Sequence, residues 1–176
     1  MSAPADAATL VAPGGNDILR AIKKAGVEFV VSVPDIVTSE GLLWPISKDP
    51  ELKLLRVCKE DEGVSICGAM SYSDTRALLL MQQTGLMDSL NAIRAIGVDY
   101  QLPICMMVGL QGKEPQLKPS ESSAYGVRII EPVLDAMQIP YRLIEEPRDV
   151  ANIAADIDAA YRNSSSFVFL IGRAPL

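Results

Sequence analysis

Six short apolar runs separated by stretches of helical periodicity predict an α/β fold in three layers, a parallel sheet with helices on both faces. Two of the runs, ALLLM (77–81) and LPICMMV (102–108), are apolar without alternation, as expected of strands covered on both sides. The length of 176 residues suits one such domain, and a 49% apolar content supplies a core without disulfides or metals.

The elements follow in order. Residues 1–12, rich in Ala and Pro, read as a loose arm. Asn16 is placed to cap a helix running to Gly26, with Ile18, Leu19 and Ile22 on its apolar side. EFVVSV (28–33) forms the first strand, closed by Pro34 and Asp35. A short helix over 39–47 is interrupted by Pro45. LKLLRV (52–57) is the second strand, and small and apolar residues at helical spacing follow over 61–72. After ALLLM, residues 82–88 read as a polar turn and 89–96 as a helix. LPICMMV is the fourth strand. A long polar loop over 109–123 then carries Pro115 and Pro119, and loops of that length often serve as lids or binding segments. A helix over 128–137, a strand over 141–144, a helix over 148–161 and the strand SFVFLIG (166–172) complete the chain.

Composition excludes several functions. A net charge of −6 opposes binding to a phosphate backbone. No apolar run approaches the ~20 residues that span a bilayer. The start lacks a basic region followed by an apolar one, so no signal peptide is read there and the expected location is the cytoplasm. Cys58, Cys67 and Cys105 are scattered without a CxxC pair, which argues for buried reduced thiols rather than a disulfide framework or a zinc site. No metal ligands are expected in this chain. It has no histidine, so acid–base work falls to carboxylates or to a cofactor.

In a parallel sheet, ligands bind beyond the carboxyl ends of the strands. Three such ends are polar here: Pro34–Asp35, the segment from Lys59 to Glu62, and the segment from Gln82 to Asp88. Glu60, Asp61 and Glu62 stand at the start of a helix, where acids also simply favour the helix dipole. A catalytic acid among them must turn inward, where loss of water disfavours its charged form. Gln82, Gln83 and Thr84 offer donors and acceptors at the mouth of a buried strand, and Gly85 suits a tight turn.

Four segments, VSVPD, KEDEGVSICGA, LLLMQQTGLMDSLNAI and YQLPICMMVG, resemble in order and spacing the thiamine-diphosphate decarboxylases, in particular the sulfopyruvate and phosphonopyruvate decarboxylases. The resemblance covers residues 16–108 and extends more loosely to the C-terminus. It implies a six-stranded parallel sheet, the pyrimidine-binding domain, over residues 13–176. It also implies thiamine diphosphate as cofactor and a separate diphosphate-binding beta subunit that holds Mg2+, since no Gly-Asp-Gly motif occurs here. The expected assembly is a hetero-oligomer acting on a small 2-oxo acid. Matched to the family motif, Glu60 is the acid that shares a proton with the aminopyrimidine, with Glu62 as the alternative if the register slips by two. Pro34, Gln82, Thr84 and Gly85 fall at cofactor-binding positions, and Asp35, Gln83 and Asn91 at substrate positions. Pro34 also reads as a plain strand terminator and Asn91 as a solvent-facing helix residue.

Two places depart from the family pattern. The turn Gly-Leu-Gly-Asn becomes Gly85–Leu86–Met87–Asp88, which introduces a carboxylate that repels an anionic substrate unless paired. The Arg-Gly pair after the fourth strand becomes Gln111–Gly112, with Lys113 as the nearest cation in sequence. These departures admit a second reading, a non-catalytic or regulatory subunit. A nucleotide or flavin module would need a Gly-rich turn after the first strand, where Pro34–Asp35 stands.

Overall fold

The computed structural model describes residues 11–176, so the arm expected over residues 1–12 lies outside the described residues except for Val11 and Ala12. Six strands form one sheet, all neighbours parallel, in the order β2-β1-β3-β4-β6-β5. They are β1 (Phe29–Ser32), β2 (Lys53–Arg56), β3 (Ala77–Gln82), β4 (Cys105–Gly109), β5 (Tyr141–Ile144) and β6 (Phe167–Ile171). Central β3 and β4 are buried almost throughout, which explains their unbroken apolar runs.

Each face of the sheet carries its own core. On one, α1 (Gly15–Lys24), α2 (Trp44–Lys48) and α8 (Ile153–Arg162) pack Ile18, Ile22, Ile46, Ile153 and Ile157 against Leu78, Leu80 and Phe169. On the other, α3 (Glu60–Tyr72), α4 (Gln83–Asp88), α5 (Leu90–Ala92), α6 (Tyr125–Arg128) and α7 (Ile130–Ala136) cover Val31, Leu79, Met81 and Met106. The alternation of odd and even strand residues between the two cores is the period-two rule of a pleated sheet. The expected three-layer α/β fold is therefore the fold observed.

Local boundaries differ from the sequence reading in instructive ways. Gly14, not Asn16, occupies the N-cap of α1, and Asn16 is an exposed residue of the first turn. Pro45 does not interrupt its helix but is the second residue of α2. A wide π-helical turn over Ser39–Leu43 leads into it. Residues 83–88 are helical rather than a turn, although Thr84 and Gly85 are weak helix formers. Burial of Leu86 in the second core overrides their propensity. Cys67 and Cys105 are buried as expected, and burial pushes the Cys105 thiol up to about 12, but Cys58 is exposed.

The 109–123 loop is tied down rather than free. Glu114 accepts hydrogen bonds from the Ser122 hydroxyl at 2.7 Å and from the Ser123 amide at 3.1 Å. Together with the Ser123 hydroxyl, these donors hold its carboxyl down at about 2. Arg173 donates to the Pro115 carbonyl from outside the loop, at 3.2 Å. Lys113 carries a fully buried ammonium paired with Glu145.

Candidate active site

The topology makes a crevice. The chain leaves β1 toward the face of α2 and leaves the adjacent β3 toward the face of α4, so their carboxyl ends part above the sheet. Ligands of open parallel sheets bind at such switch points. The ends of β1, β2, β3 and β4 bring Asp35, Glu60, Gln82, Gln83 and Gln111 to this edge.

Glu60 is the first residue of α3 and is half-buried. Its side chain lies directly over Gly85 in α4, where a β-carbon would collide with the carboxyl group and its methylene. Gly85 is thus required for close approach, not for the turn geometry expected of it. Glu60 makes no hydrogen bond with the described residues, which leaves both carboxyl oxygens free. The two neighbouring acids differ. Asp61 is exposed and accepts the Glu62 amide at 2.9 Å. Glu62 is exposed and folds back to accept the Cys58 amide at 3.1 Å. Only Glu60 of the three reaches across to α4.

The glutamines form a clamp. Buried Gln83 donates through Nε2 to the Gln111 carbonyl at 3.0 Å and accepts the Gln111 amide on Oε1 at 2.9 Å. This two-point bond satisfies a buried carboxamide and fixes the backbone just after β4. It presents the Gln111 side chain to Gln82, whose Nε2 donates to Gln111 Oε1. Thr84 is exposed beside them.

Asp35 is buried and serves the turn after β1. It accepts the amides of Val37 at 2.7 Å and Thr38 at 3.0 Å, and also the Thr38 hydroxyl. A β-carbon on Gly109 would stand 2.8 Å from Asp35 Oδ1, so β4 ends in a residue without one. Pro34 is exposed at the same edge. Asn91 is exposed on α5, and its carbonyl oxygen accepts from Arg94 at 3.0 and 3.2 Å rather than joining the glutamines.

Sequence reasoning did not reach three partnerships. Asp88, flagged as a repelling charge, pairs with Lys59 at 2.9 Å, and that hydrogen bond raises the Lys59 ammonium above its usual range. Gln111 is the clamp's partner, and Thr38 holds Asp35. Each pairing except the last joins residues 28 or 29 positions apart, a distance that only the parallel register closes. Lys113, the candidate cation, points away into its buried pair with Glu145. A separate cleft of about 680 Å3, lined by Tyr72, Arg76, Gln101 and Arg162, lies at the opposite edge of the sheet and contains none of the candidate residues.

No protein-family model matches the chain. It is 27% identical over 151 residues to "Sulfopyruvate decarboxylase subunit alpha" of Methanothermobacter thermautotrophicus, covering 85% of this chain and 90% of that one. The same subunit of Methanococcus maripaludis is 28% identical over 140 residues, or 79% and 81% of the two chains. The chain is similar over most of its length to sulfopyruvate decarboxylase alpha subunits. A solved structure, the 2-oxoglutarate:ferredoxin oxidoreductase of Magnetococcus marinus, superposes with a TM-score of 0.64 at 15% identity. It matches 97% of this chain, which spans 30% of that one. This likeness is one of fold, a six-stranded parallel sheet with helices on both faces, which is the architecture the sequence predicts. The residues present fit the pyrimidine end of the cofactor that the sequence resemblance implies. An unpaired carboxyl stands over a glycine, beside a crevice whose floor is fixed by buried hydrogen bonds.

Proposed function

We propose that this chain is the alpha subunit of a two-chain, thiamine-diphosphate-dependent 2-oxo acid decarboxylase of the cytoplasm. In this reading residues 13–176 act as one pyrimidine-binding domain and Glu60 is the acid that engages the aminopyrimidine. The observation that carries the reading is the Glu60 carboxyl, free of partners and leaning across Gly85 at the switch point. When bound, the cofactor supplies the electron sink for loss of CO2.

The chain's own residues have defined tasks. Glu60 holds and moves a proton at one carboxyl oxygen, and its reach is set by the α3 start and the bare Gly85 backbone. Gln83 keeps the strand ends of β3 and β4 together, so the crevice is preorganised before any ligand arrives. Pro34, Gln82 and Thr84 form the rim against the cofactor, and Asp35 holds the turn that carries Pro34. Asn91 takes part only on release from Arg94. Glu60 is half-exposed in this chain, and docking of a diphosphate-binding beta subunit, the holder of Mg2+, would complete its removal from water. The pairing of Asp88 by Lys59 removes the repulsion that favoured a regulatory role.

The test is reconstitution of this chain with its diphosphate-binding companion. The expected result is CO2 release from 2-oxo acids that needs both chains, thiamine diphosphate and Mg2+ together. Release of no CO2 by the complete mixture, or equal release without the cofactor, contradicts the reading.

A further inference from the structure

The charges around the crevice carry information about the substrate. Among the cations at the carboxyl edge of the sheet, Lys59, Lys113 and Arg128 are already committed. Lys59 pairs with Asp88, and Lys113 pairs with Glu145 and donates to the Glu114 carbonyl at 3.1 Å with its side chain fully buried. Arg128 donates to the Ser122 carbonyl at 2.7 Å and lies over the Tyr125 ring. What the end of β3 and the start of the next loop present instead is a pair of carboxamides, Gln82 and Gln111.

That pair has a definite valence. One N–H···O bond joins the two side chains, so one carbonyl oxygen and one NH2 remain unused. The count is the same whichever way the two amides are turned. The pair sits one helical turn from Gly85, over which Glu60 lies, and the buried Gln83 fixes Gln111 from behind through both of its backbone groups. A donor and an acceptor held side by side match a group that also donates and accepts, such as a hydroxyl or carboxamide. They match a sulfonate poorly, since it only accepts and brings a negative charge into a chain of net charge −6.

We infer that the Gln82–Gln111 pair is the specificity element of this site and that it selects 2-oxo acids with an uncharged, hydrogen-bonding end group rather than a sulfonate. This inference rests on the decarboxylase reading above. Gln111 reads the distal end of the substrate, Gln82 joins it from the cofactor rim, and Gln83 is a positioning residue that acts through Gln111.

The experiment uses the complete two-chain enzyme with thiamine diphosphate and Mg2+. It compares kcat/KM for 3-hydroxypyruvate and 3-sulfopyruvate, which differ only at the group on C3. The expected preference is for 3-hydroxypyruvate by at least about tenfold. Gln111→Arg, which places a guanidinium in the clamp, is expected to shift the ratio toward 3-sulfopyruvate by about tenfold or more. If that variant does not assemble, Gln82→Arg puts the same group in the other half of the pair and is read the same way. A wild-type preference for 3-sulfopyruvate overturns the substrate class while leaving the decarboxylase reading intact. An assembled arginine variant with an unchanged ratio overturns the role of the pair. No turnover of either acid by an enzyme that decarboxylates another 2-oxo acid overturns this inference alone, and no turnover of any 2-oxo acid overturns the decarboxylase reading with it.

Discussion

The two edges of the sheet are built on opposite principles. At the amino edge, helices end and strands begin, and the joints are closed. Asp74, Gln101, Gln138 and Ser164 adopt left-handed backbone conformations with φ of 50–56°, and Gly26 does so at 72°. Each is followed by an amide that reaches back to the last helical turn, as from Thr75 to Met70 at 2.9 Å and from Ile139 to Leu134 at 3.0 Å. Tyr161 adds a two-way hydrogen bond to the Ala77 backbone, and Arg76 pairs with Asp158. At the carboxyl edge the N-caps of α3 and α4, Lys59 and Gln82, make no side-chain cap bond. Polar side chains there bridge between elements, as Gln83 does, close local turns, as Asp35 does, or, like Glu60, remain unpaired. One edge spends its hydrogen bonds on finishing the fold and the other leaves groups free for a ligand.

The contrast predicts that substitutions at the two edges fail in different ways. The largest effect is expected for Gly85→Ala. A β-carbon there displaces the Glu60 carboxyl, and kcat of the two-chain enzyme is expected to fall roughly a hundredfold. Melting temperature should shift only slightly, because Glu60 is half-exposed and has room to move. A large loss of stability without loss of kcat would erase the distinction.

Tyr161→Phe should behave in the reverse manner. It removes the partner of the buried Ala77 amide, at a cost of about 1–3 kcal/mol in denaturant unfolding. Activity per folded enzyme should stay within about twofold of wild type, since residue 161 lies on the far edge.

Gln138→Gly sharpens the comparison with a gain. Relief of a left-handed side-chain conformation is expected to stabilise the chain by up to about 1 kcal/mol, read as a higher melting temperature. The smallest effect concerns the stapled loop. The hydrogen bonds from Ser123 and Ser122 depress the Glu114 carboxyl, so its stabilising contribution is present above its unfolded value and is lost as pH falls through about 2. A carboxyl NMR titration should place the Glu114 midpoint near 2, and Ser123→Ala should move it up toward 4.5.

Much of this architecture was legible in the amino-acid sequence because it depends on local period. Unbroken apolar runs marked β3 and β4, and short apolar runs between helical stretches marked the edge strands, with 141–144 matching β5 residue for residue. Glu60, Gly85 and the glutamines were legible as a cluster because all follow strand ends. Their partnerships were not. The reach of Glu60 over Gly85, the Gln83–Gln111 clamp and the Lys59–Asp88 pair depend on which strands lie side by side, and the order 2-1-3-4-6-5 is written in no local pattern. The helical state of 83–88 was hidden for a related reason, since burial of Leu86 rather than propensity decides it.

The most direct measurement sets Glu60→Gln beside Glu62→Gln in the assembled two-chain enzyme, with thiamine diphosphate and Mg2+ at saturation. The geometry predicts a fall in kcat of about a hundredfold or more for Glu60→Gln and a change of no more than a few fold for Glu62→Gln, whose carboxyl serves only its own helix start. Near-normal kcat in Glu60→Gln, or an equal loss in both variants, would contradict it.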